Sequence, residues 1–277
     1  MTGGPATGLT GGVDWEACAA HLGVCAGVAL GVMLVTFCFG AARGRHRYVD
    51  VAWGLAFTAV AVTSCALSAG HGDPGRRALI TALTATWGLR LAAHLARRGW
   101  GKGEDPRYAR MLGRSSGPPA LAALRTVYLL QGALVWLISL PVQAGQYAHE
   151  PPGVLAWGGV AVWLAGMVFE AVGDRQLARF TARPENRGRI MDQGLWSWTR
   201  HPNYFGDFCV WWGLYLVAVA DAAGALVLLA APLTMSGLLT VGSGKRLLEQ
   251  HMADRLGYAA YAARTSGFFP RRPRKRT

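Results

Sequence analysis

Long apolar runs are the feature of this sequence that most restricts its fold. A helix rises about 1.5 Å per residue, so crossing the ~30 Å hydrocarbon core of a bilayer takes about 20 mostly apolar residues. Seven stretches approach this length, at approximately 17–42, 49–69, 78–96, 120–146, 153–172, 203–220 and 222–242. The composition agrees, because 52% of the 277 residues are hydrophobic and only 16% are charged. We therefore predict an all-α integral membrane protein with about seven transmembrane helices.

The basic residues are distributed unevenly between the predicted connections. Of the 28 Lys and Arg residues, 24 lie in the segments 43–47, 97–114, 173–201 and 245–277. The alternate connections are nearly free of them, which is the positive-inside pattern. This pattern predicts an outside N-terminus and a cytoplasmic C-terminus, as an odd number of helices requires. A multi-pass membrane protein, with its active site toward the cytoplasm, is the expected setting.

The predicted organisation is one membrane domain, 17–270, between a short N-terminal tail, 1–16, and a basic tail, 271–277. The basic tail is typical of a juxtamembrane patch that touches anionic lipid, and no nucleic-acid-binding module accompanies it. The five cysteines lie in or beside apolar stretches without metal-ligand spacing. We therefore expect neither a metal site nor a disulfide scaffold.

The connection 173–202 is rich in polar side chains that could bind a ligand or take part in catalysis. It contains six arginines, interleaved with carboxylates and with apolar residues that favour order. Arginines oriented by carboxylates suit a polyanion, either a dinucleotide phosphate or a lipid headgroup. The sequence has no P-loop and no glycine-rich dinucleotide fingerprint after a strand, which excludes those nucleotide-binding folds. We predict that 173–202 is a cofactor-binding loop.

The segment Gly194–Gly213, GLWSWTRHPNYFGDFCVWWG, continues this loop into a membrane helix. Pro202 is suited to the first turn of a helix, and Asn203 and Asp207 follow with i,i+4 spacing on one face. Polar side chains that enter a membrane are costly unless they line a polar cavity or pair with one another. The spacing therefore predicts a polar site at the start of this helix.

Four ordered motifs resemble the steroid 5-alpha-reductase superfamily, which includes the sterol reductases. They are VDVAWGLAF (Val49–Phe57), TWGLRLAAHLARRGWGKGEDPRY (Thr86–Tyr108), GLWSWTRHPNYFGD and GYAAYAARTSGFFP (Gly257–Pro270). The closest likeness is to the bacterial branch of that superfamily, catalogued as a membrane domain of unknown function. The resemblance implies a seven-helix bundle that holds NADPH from the cytoplasmic side while a lipid-like enone enters between helices.

The resemblance also implies a set of cofactor-binding residues. The family positions that contact the cofactor correspond here to Asp174, Arg189, Asn203, Asp207 and Trp211. Glu170 stands where the steroid enzymes have Asn, and Arg179 or Arg183 replaces an arginine expected near Thr181. The candidates from the shared segment and the C-terminal motif are Arg200, His201, Tyr204, Tyr258, Tyr261 and Arg264.

The proton donor departs from the steroid-enzyme pattern of a Glu on the second helix and a Tyr on the third. Those regions offer Asp50 and Trp87, and indole cannot act as an acid. We predict Asp50 and Tyr108 as catalytic residues, with pairing of Asp50 to Arg47 or Arg90 as the structural alternative. Trp53, Trp87 and Arg90 are predicted to lie in the substrate pocket.

Three functions are compatible with these motifs. The leading prediction is an NADPH-dependent reductase of an activated carbon–carbon double bond in an apolar substrate. The alternative is an S-adenosylmethionine-dependent methyltransferase of the isoprenylcysteine or phospholipid type, because those enzymes share the RHPxYxG segment and a C-terminal acidic residue like Glu249. A non-catalytic lipid-binding or scaffold protein is the third.

Overall fold

The computed structural model describes residues 12–113, 117–242 and 244–272, and in these residues helices dominate and β-structure is limited to two isolated bridges. The all-α prediction is confirmed for this part of the chain. The longer helices are α1 (Trp15–Arg43), α2 (Tyr48–Leu67), α3 (Pro74–Gly99), α5 (Pro119–Ile138), α7 (Val154–Thr181), α8 (Pro202–Ala218) and α10 (Ala230–Thr240). The shorter helices are α4 (Pro106–Gly113), α6 (Leu140–Gly145), α9 (Ala222–Leu228), α11 (Lys245–Met252) and α12 (Tyr258–Arg264).

Five helical stretches in the described residues are long and apolar enough to cross a membrane: Trp15–Arg43, Tyr48–Leu67, Pro119–Ile138, Val154–Thr181 and Ala222–Met252. Their outer surfaces expose large apolar side chains such as Val35, Leu164 and Leu226, which suits contact with lipid. The chain is therefore a multi-pass membrane protein. The third and sixth predicted spans do not qualify by length and composition, because α3 carries five arginines and α8 has only 17 residues.

Several predicted boundaries need correction. The stretch 120–146 is interrupted at Ser139, just before Pro141, and 222–242 is interrupted at Leu229, ahead of Pro232. Proline has no N–H to donate and cannot sit inside a helix without disturbing it. The helix α7 continues to Thr181, so the first nine residues of the predicted loop 173–202 are helical. Residues 1–11 of the predicted N-terminal tail and 273–277 of the basic tail lie outside the described residues.

At the end of the bundle that carries few basic residues, side chains cap the first turns of three helices. Asp14, Asp73 and Asp221 accept hydrogen bonds from the backbone N–H groups that begin α1, α3 and α9. Arg76, only 3% exposed, donates to the carbonyl oxygens of Val217 and Glu150 at 2.7 and 2.9 Å. These bonds join the α3, α7 and α8 ends of the bundle.

The helices α7 and α8 form the closest pair in the bundle, because glycines allow their backbones to touch. A methyl group at Gly166 would lie 2.5 Å from the carbonyl oxygen of Gly206, and one at Gly159 would lie 2.7 Å from that of Gly213. Such small-residue contacts are a common basis of helix packing in membranes. This contact fixes the position of the polar residues on both helices.

Candidate functional site

A cavity of about 1530 Å³ lies at the basic end of the bundle. The α1–α2 turn, the end of α3, the start of α4, the 189–204 segment, α11 and α12 form its wall. Ten cationic side chains line it: Arg43, Arg45, Arg47, Arg98, Lys102, Arg107, Arg110, Arg189, Arg200 and Arg255. Only three carboxylates do so, from Asp50, Glu104 and Asp105. A concave surface with this excess of positive charge attracts anionic ligands.

Eight of the predicted site residues line this cavity. They are Asp50, Arg189, Arg200, His201, Asn203, Tyr204, Tyr258 and Tyr261. The 3₁₀ turn Gly194–Ser197 and the Pro202 helix start bring the RHPNY residues to the wall. The loop and the C-terminal motif therefore meet at one place, although about 60 residues separate them in sequence.

Asp50 is held by two donors from α4. The Tyr108 hydroxyl donates to Asp50 Oδ1 at 2.6 Å, and Arg107 donates to Asp50 Oδ2 at 3.0 Å. Neither Arg47 nor Arg90 is its partner, so the expected structural pairing is replaced by Arg107. Burial raises the pKa of Tyr108 well above its ordinary value, and the neighbouring Asp50 carboxylate adds to this effect. Tyr108 therefore remains a protonated donor at neutral pH.

Arg200 and His201 connect the start of α8 to the C-terminal segment. Arg200 Nε donates to Glu249 at 2.8 Å, and its guanidinium also donates to the carbonyl oxygens of Ala262 and Thr265. His201 Nε2 lies 3.1 Å from the same Glu249 oxygen, and its ring stacks on Tyr204. These two predicted cofactor contacts are thus already engaged in holding α11 and α12 against the cavity.

Burial lowers the pKa of His201 to about 4, and its hydrogen bond to the Glu249 carboxylate only partly opposes this. Because the folded-state pKa lies below the ordinary value of about 6.5, His201 stabilises the fold fully above pH 6.5. We expect this contribution, roughly 3 kcal/mol at most, to be lost as the pH falls from 6.5 toward 4. The check is thermal unfolding in detergent across that range, for the wild type and His201→Gln. The variant should lose less stability on acidification; parallel curves would contradict the expectation.

A second group of predicted residues forms a buried cluster separate from the cavity wall. Arg90 donates to Asp174 at 2.9 Å and to Glu170, and the Trp87 indole donates to Glu170 at 3.0 Å. His94 lies 3.7 Å from Asp174. Asp207 Oδ1 is buried and has no hydrogen-bond partner among the described residues. Two carboxylates from α7 thus share one arginine from α3, with the Asp207 carboxylate of α8 nearby.

The three residues predicted for the substrate pocket lie away from the cavity wall. Trp87 is fully buried, Arg90 belongs to the carboxylate cluster, and Trp53 packs on Phe57, so none of the three lines the cavity. The rings of Phe57, Trp87 and Trp211 pack together, with centroids 4.5–5.5 Å apart. Trp87 and Trp211 were predicted near ligands, whereas here they fill the space between α2, α3 and α8 with Phe57.

The remaining predicted residues lie at the surface. Arg179 and Arg183 line a separate small pocket of about 290 Å³, and Arg264 pairs with Asp192. Sequence analysis also missed participants, notably Arg107, Glu104 and Arg98. The basic segments 43–47 and 97–114 contained the available signal, but their charge was interpreted only as topology.

The fold and the cavity define a multi-pass helical membrane protein with a cation-lined site at one end. The sequence model of the family described as "Protein of unknown function (DUF1295)" matches residues 36–265. The chain belongs to this family, which is steroid 5-alpha-reductase-like.

A curated relative is the "Uncharacterized protein C594.04c" of Schizosaccharomyces pombe. It is 26% identical over 251 residues, covering 80% of this chain and 72% of the relative. No solved structure gives a significant match.

Proposed function

We propose that the protein is an NADPH-dependent reductase of an activated carbon–carbon double bond in a lipid-like substrate. One observation carries the proposal: a single cavity joins two chemically different walls. Val35, Phe39 and Leu55 contribute an apolar wall from membrane helices, and the 189–204 segment with α12 contributes cations, amides and tyrosines. A reductase of this type needs both, because its cofactor is polyanionic and its substrate is apolar.

The residues of the polar wall fit a phosphorylated nucleotide. Arg189 is exposed and forms no ion pair among the described residues, so its guanidinium is free to bind a phosphate. Asn203, Tyr204, Tyr258 and Tyr261 would supply amide, hydroxyl and ring contacts. NADPH bound there would supply the hydride for the reaction.

The contribution of the chain is to orient the substrate and to provide a proton. Tyr108 and Asp50 share a hydrogen bond of 2.6 Å on the α2 side of the cavity. We assign proton delivery to this pair, with Asp50 facing the cavity and Tyr108 behind it. Arg107, bonded to the other Asp50 oxygen, would hold the carboxyl in place. The carbonyl oxygen of an enone is the group that such a donor would polarise.

The proposed topology has seven membrane-crossing helices, with α3 and α8 in the interior of the bundle. The charged residues of α3 favour this, because Arg90 and His94 face the carboxylates of α7 and not lipid. The basic end, with the cavity and the C-terminus, would face the cytoplasm of a bacterial inner membrane. The N-terminus would lie outside.

The methyltransferase alternative has one specific observation in its favour. Glu249 contacts both Arg200 and His201, the first two residues of the RHPxYxG segment that those enzymes share. A site built around this contact could bind S-adenosylmethionine. Asn203 and Asp207 favour the reductase, because that pair is the reductase signature within the segment.

Ligand-dependent unfolding distinguishes these functions. Purified protein in detergent is heated alone, with NADPH, and with S-adenosylmethionine. A ligand at 100 times its Kd stabilises the folded state by about 2.7 kcal/mol. We expect NADPH to give such a shift; stabilisation by S-adenosylmethionine alone would end the reductase proposal, and stabilisation by neither would leave the lipid-binding alternative.

Two arginines of one loop provide the matched control. Arg189 lines the cavity, whereas Arg187, two residues away and equally exposed, does not. Losing a hydrogen bond to a charged group costs about 1.5–3 kcal/mol, or roughly tenfold to hundredfold in affinity. Arg189→Ala should weaken NADPH binding by that factor, and Arg187→Ala should leave it unchanged.

A further inference from the structure

The α1–α2 turn is held so that its basic side chains remain free. Glu104 accepts hydrogen bonds from the backbone N–H groups of His46, Arg47 and Asp105. The His46 ring also lies 3.0 Å from the Tyr128 hydroxyl. The carboxylate nearest to this turn therefore binds the backbone and forms no ion pair with the arginine side chains.

The cations around the turn have no anionic partner among the described residues of the cavity. Of its three carboxylates, Asp50 and Asp105 bind Arg107, and Glu104 binds backbone amides. The basic cluster, as we name it, consists of five side chains without an ion pair, from the α1–α2 turn and the end of α3: Arg43, Arg45, Arg47, Arg98 and Lys102. Arg47 is fixed in place, since it donates to the Gly103 carbonyl at 2.7 Å.

Apolar stripes lead from the basic cluster toward the lipid-facing surface. On α1, Val35, Phe39 and Arg43 follow one another with i,i+4 spacing, and the Arg43 guanidinium lies 3.7 Å from the Phe39 ring centre. On α2, Val51 and Leu55 continue the wall below the turn. Val35 is 71% exposed and Leu55 is 42% exposed. Val35 and Arg43 are eight positions apart on the helix, so the apolar wall extends about 12 Å from the cations.

We infer that this end of the cavity binds a single-chain amphiphile with a phosphate-type anionic headgroup, its head on the basic cluster and its chain between α1 and α2. The lateral exposure of Val35 and Leu55 allows the chain to enter from the bilayer. The cluster is distinct from the cofactor wall, where Arg189 and Arg255 have no ion pair among the described residues. Identifying the amphiphile as the substrate rests on the proposed reductase function; its binding does not.

Binding of hexadecyl phosphate, hexadecanol and inorganic phosphate to detergent-solubilised protein tests this inference. Isothermal titration should give an affinity for hexadecyl phosphate at least tenfold above that of either partial probe. Equal affinity of hexadecanol would show that the cations do not contribute, and equal affinity of inorganic phosphate would show that the chain does not. Either result would overturn the inference.

Matched variants test separately whether the basic cluster and the apolar wall contribute to binding. Arg47→Gln and Arg98→Gln should each weaken hexadecyl phosphate binding at least tenfold, with Arg187→Gln as the exposed control. Leu55→Ser should weaken it more than Leu164→Ser, another lipid-facing leucine that lies outside the cavity. Loss at the controls to the same extent would overturn the assignment.

NADPH titration of the same variants separates this inference from the proposed function and also shows that the variants are folded. Unchanged NADPH affinity in Arg47→Gln and Arg98→Gln supports a second anion site. A tenfold loss of NADPH affinity in both would assign the basic cluster to the cofactor and overturn the inference. If hexadecyl phosphate binds the wild type and NADPH does not, the lipid site stands and the reductase function fails.

Discussion

Replacing Arg90 with Met is expected to reduce the free energy of unfolding by about 3–5 kcal/mol. Among the described residues, Arg90 is the one arginine that contacts the buried carboxylate cluster, through Glu170 and Asp174. Its removal leaves those carboxylates and the nearby Asp207 uncompensated in an environment that water reaches poorly. The cost arises from the unpaired acids, since methionine fills much of the volume that arginine occupied.

Denaturant unfolding in detergent micelles measures this loss. Arg97→Met, near the exposed end of the same helix and without an ion pair, should change stability by less than about 0.5 kcal/mol. Adding Glu170→Gln to Arg90→Met should recover part of the loss, because it removes one uncompensated acid. If Arg90→Met unfolds at the same denaturant concentration as the wild type, the carboxylates are compensated by something other than Arg90.

Gly166→Ala should destabilise the protein by about 1–3 kcal/mol, which is the usual cost of overpacking. The added methyl group would lie 2.5 Å from the Gly206 carbonyl oxygen and 2.8 Å from Cys209 Cβ, so α7 and α8 would have to separate. Both neighbours belong to a helix and cannot move like the end of a flexible side chain. Ligand affinity should fall as well, because Asp207 and the RHPNY residues would move together with α8.

Gly158→Ala is the matched control on the same helix. No atom lies within 4 Å of a methyl group at Gly158, and alanine is the better helix former by about 1 kcal/mol. This variant should therefore be neutral or slightly more stable when unfolding is followed by circular dichroism. Similar effects of the two substitutions would show that α7 and α8 do not depend on the close glycine contact.

Local sequence signals predicted the helices well and their exact ends less well. Apolar runs located α1, α2 and α7, because a helix that faces lipid must be mostly apolar along its whole length. By the same criterion the predicted span ended at residue 172, where charged residues begin, although α7 continues to Thr181. A helix that projects beyond the apolar layer keeps its backbone hydrogen bonds, so hydropathy alone does not indicate where it ends.

The candidate site was predictable as a set of motifs but not as a geometry. The RHPNY segment identified the start of α8, and the resemblance identified the C-terminal tyrosines that meet it. The division of these residues between an open cavity and a closed cluster depends on which way each helix faces. The partner of Asp50 is 57 residues away on α4, and no local pattern indicates that Arg107 would reach it.

The side-chain caps described for α1, α3 and α9 have a consequence for membrane energetics. Polar groups at a bilayer are costly unless they find hydrogen-bond partners within the protein. Here Arg76 donates to carbonyl oxygens, and the three aspartates accept from backbone N–H groups. This end of the bundle therefore needs little water to satisfy its polar groups.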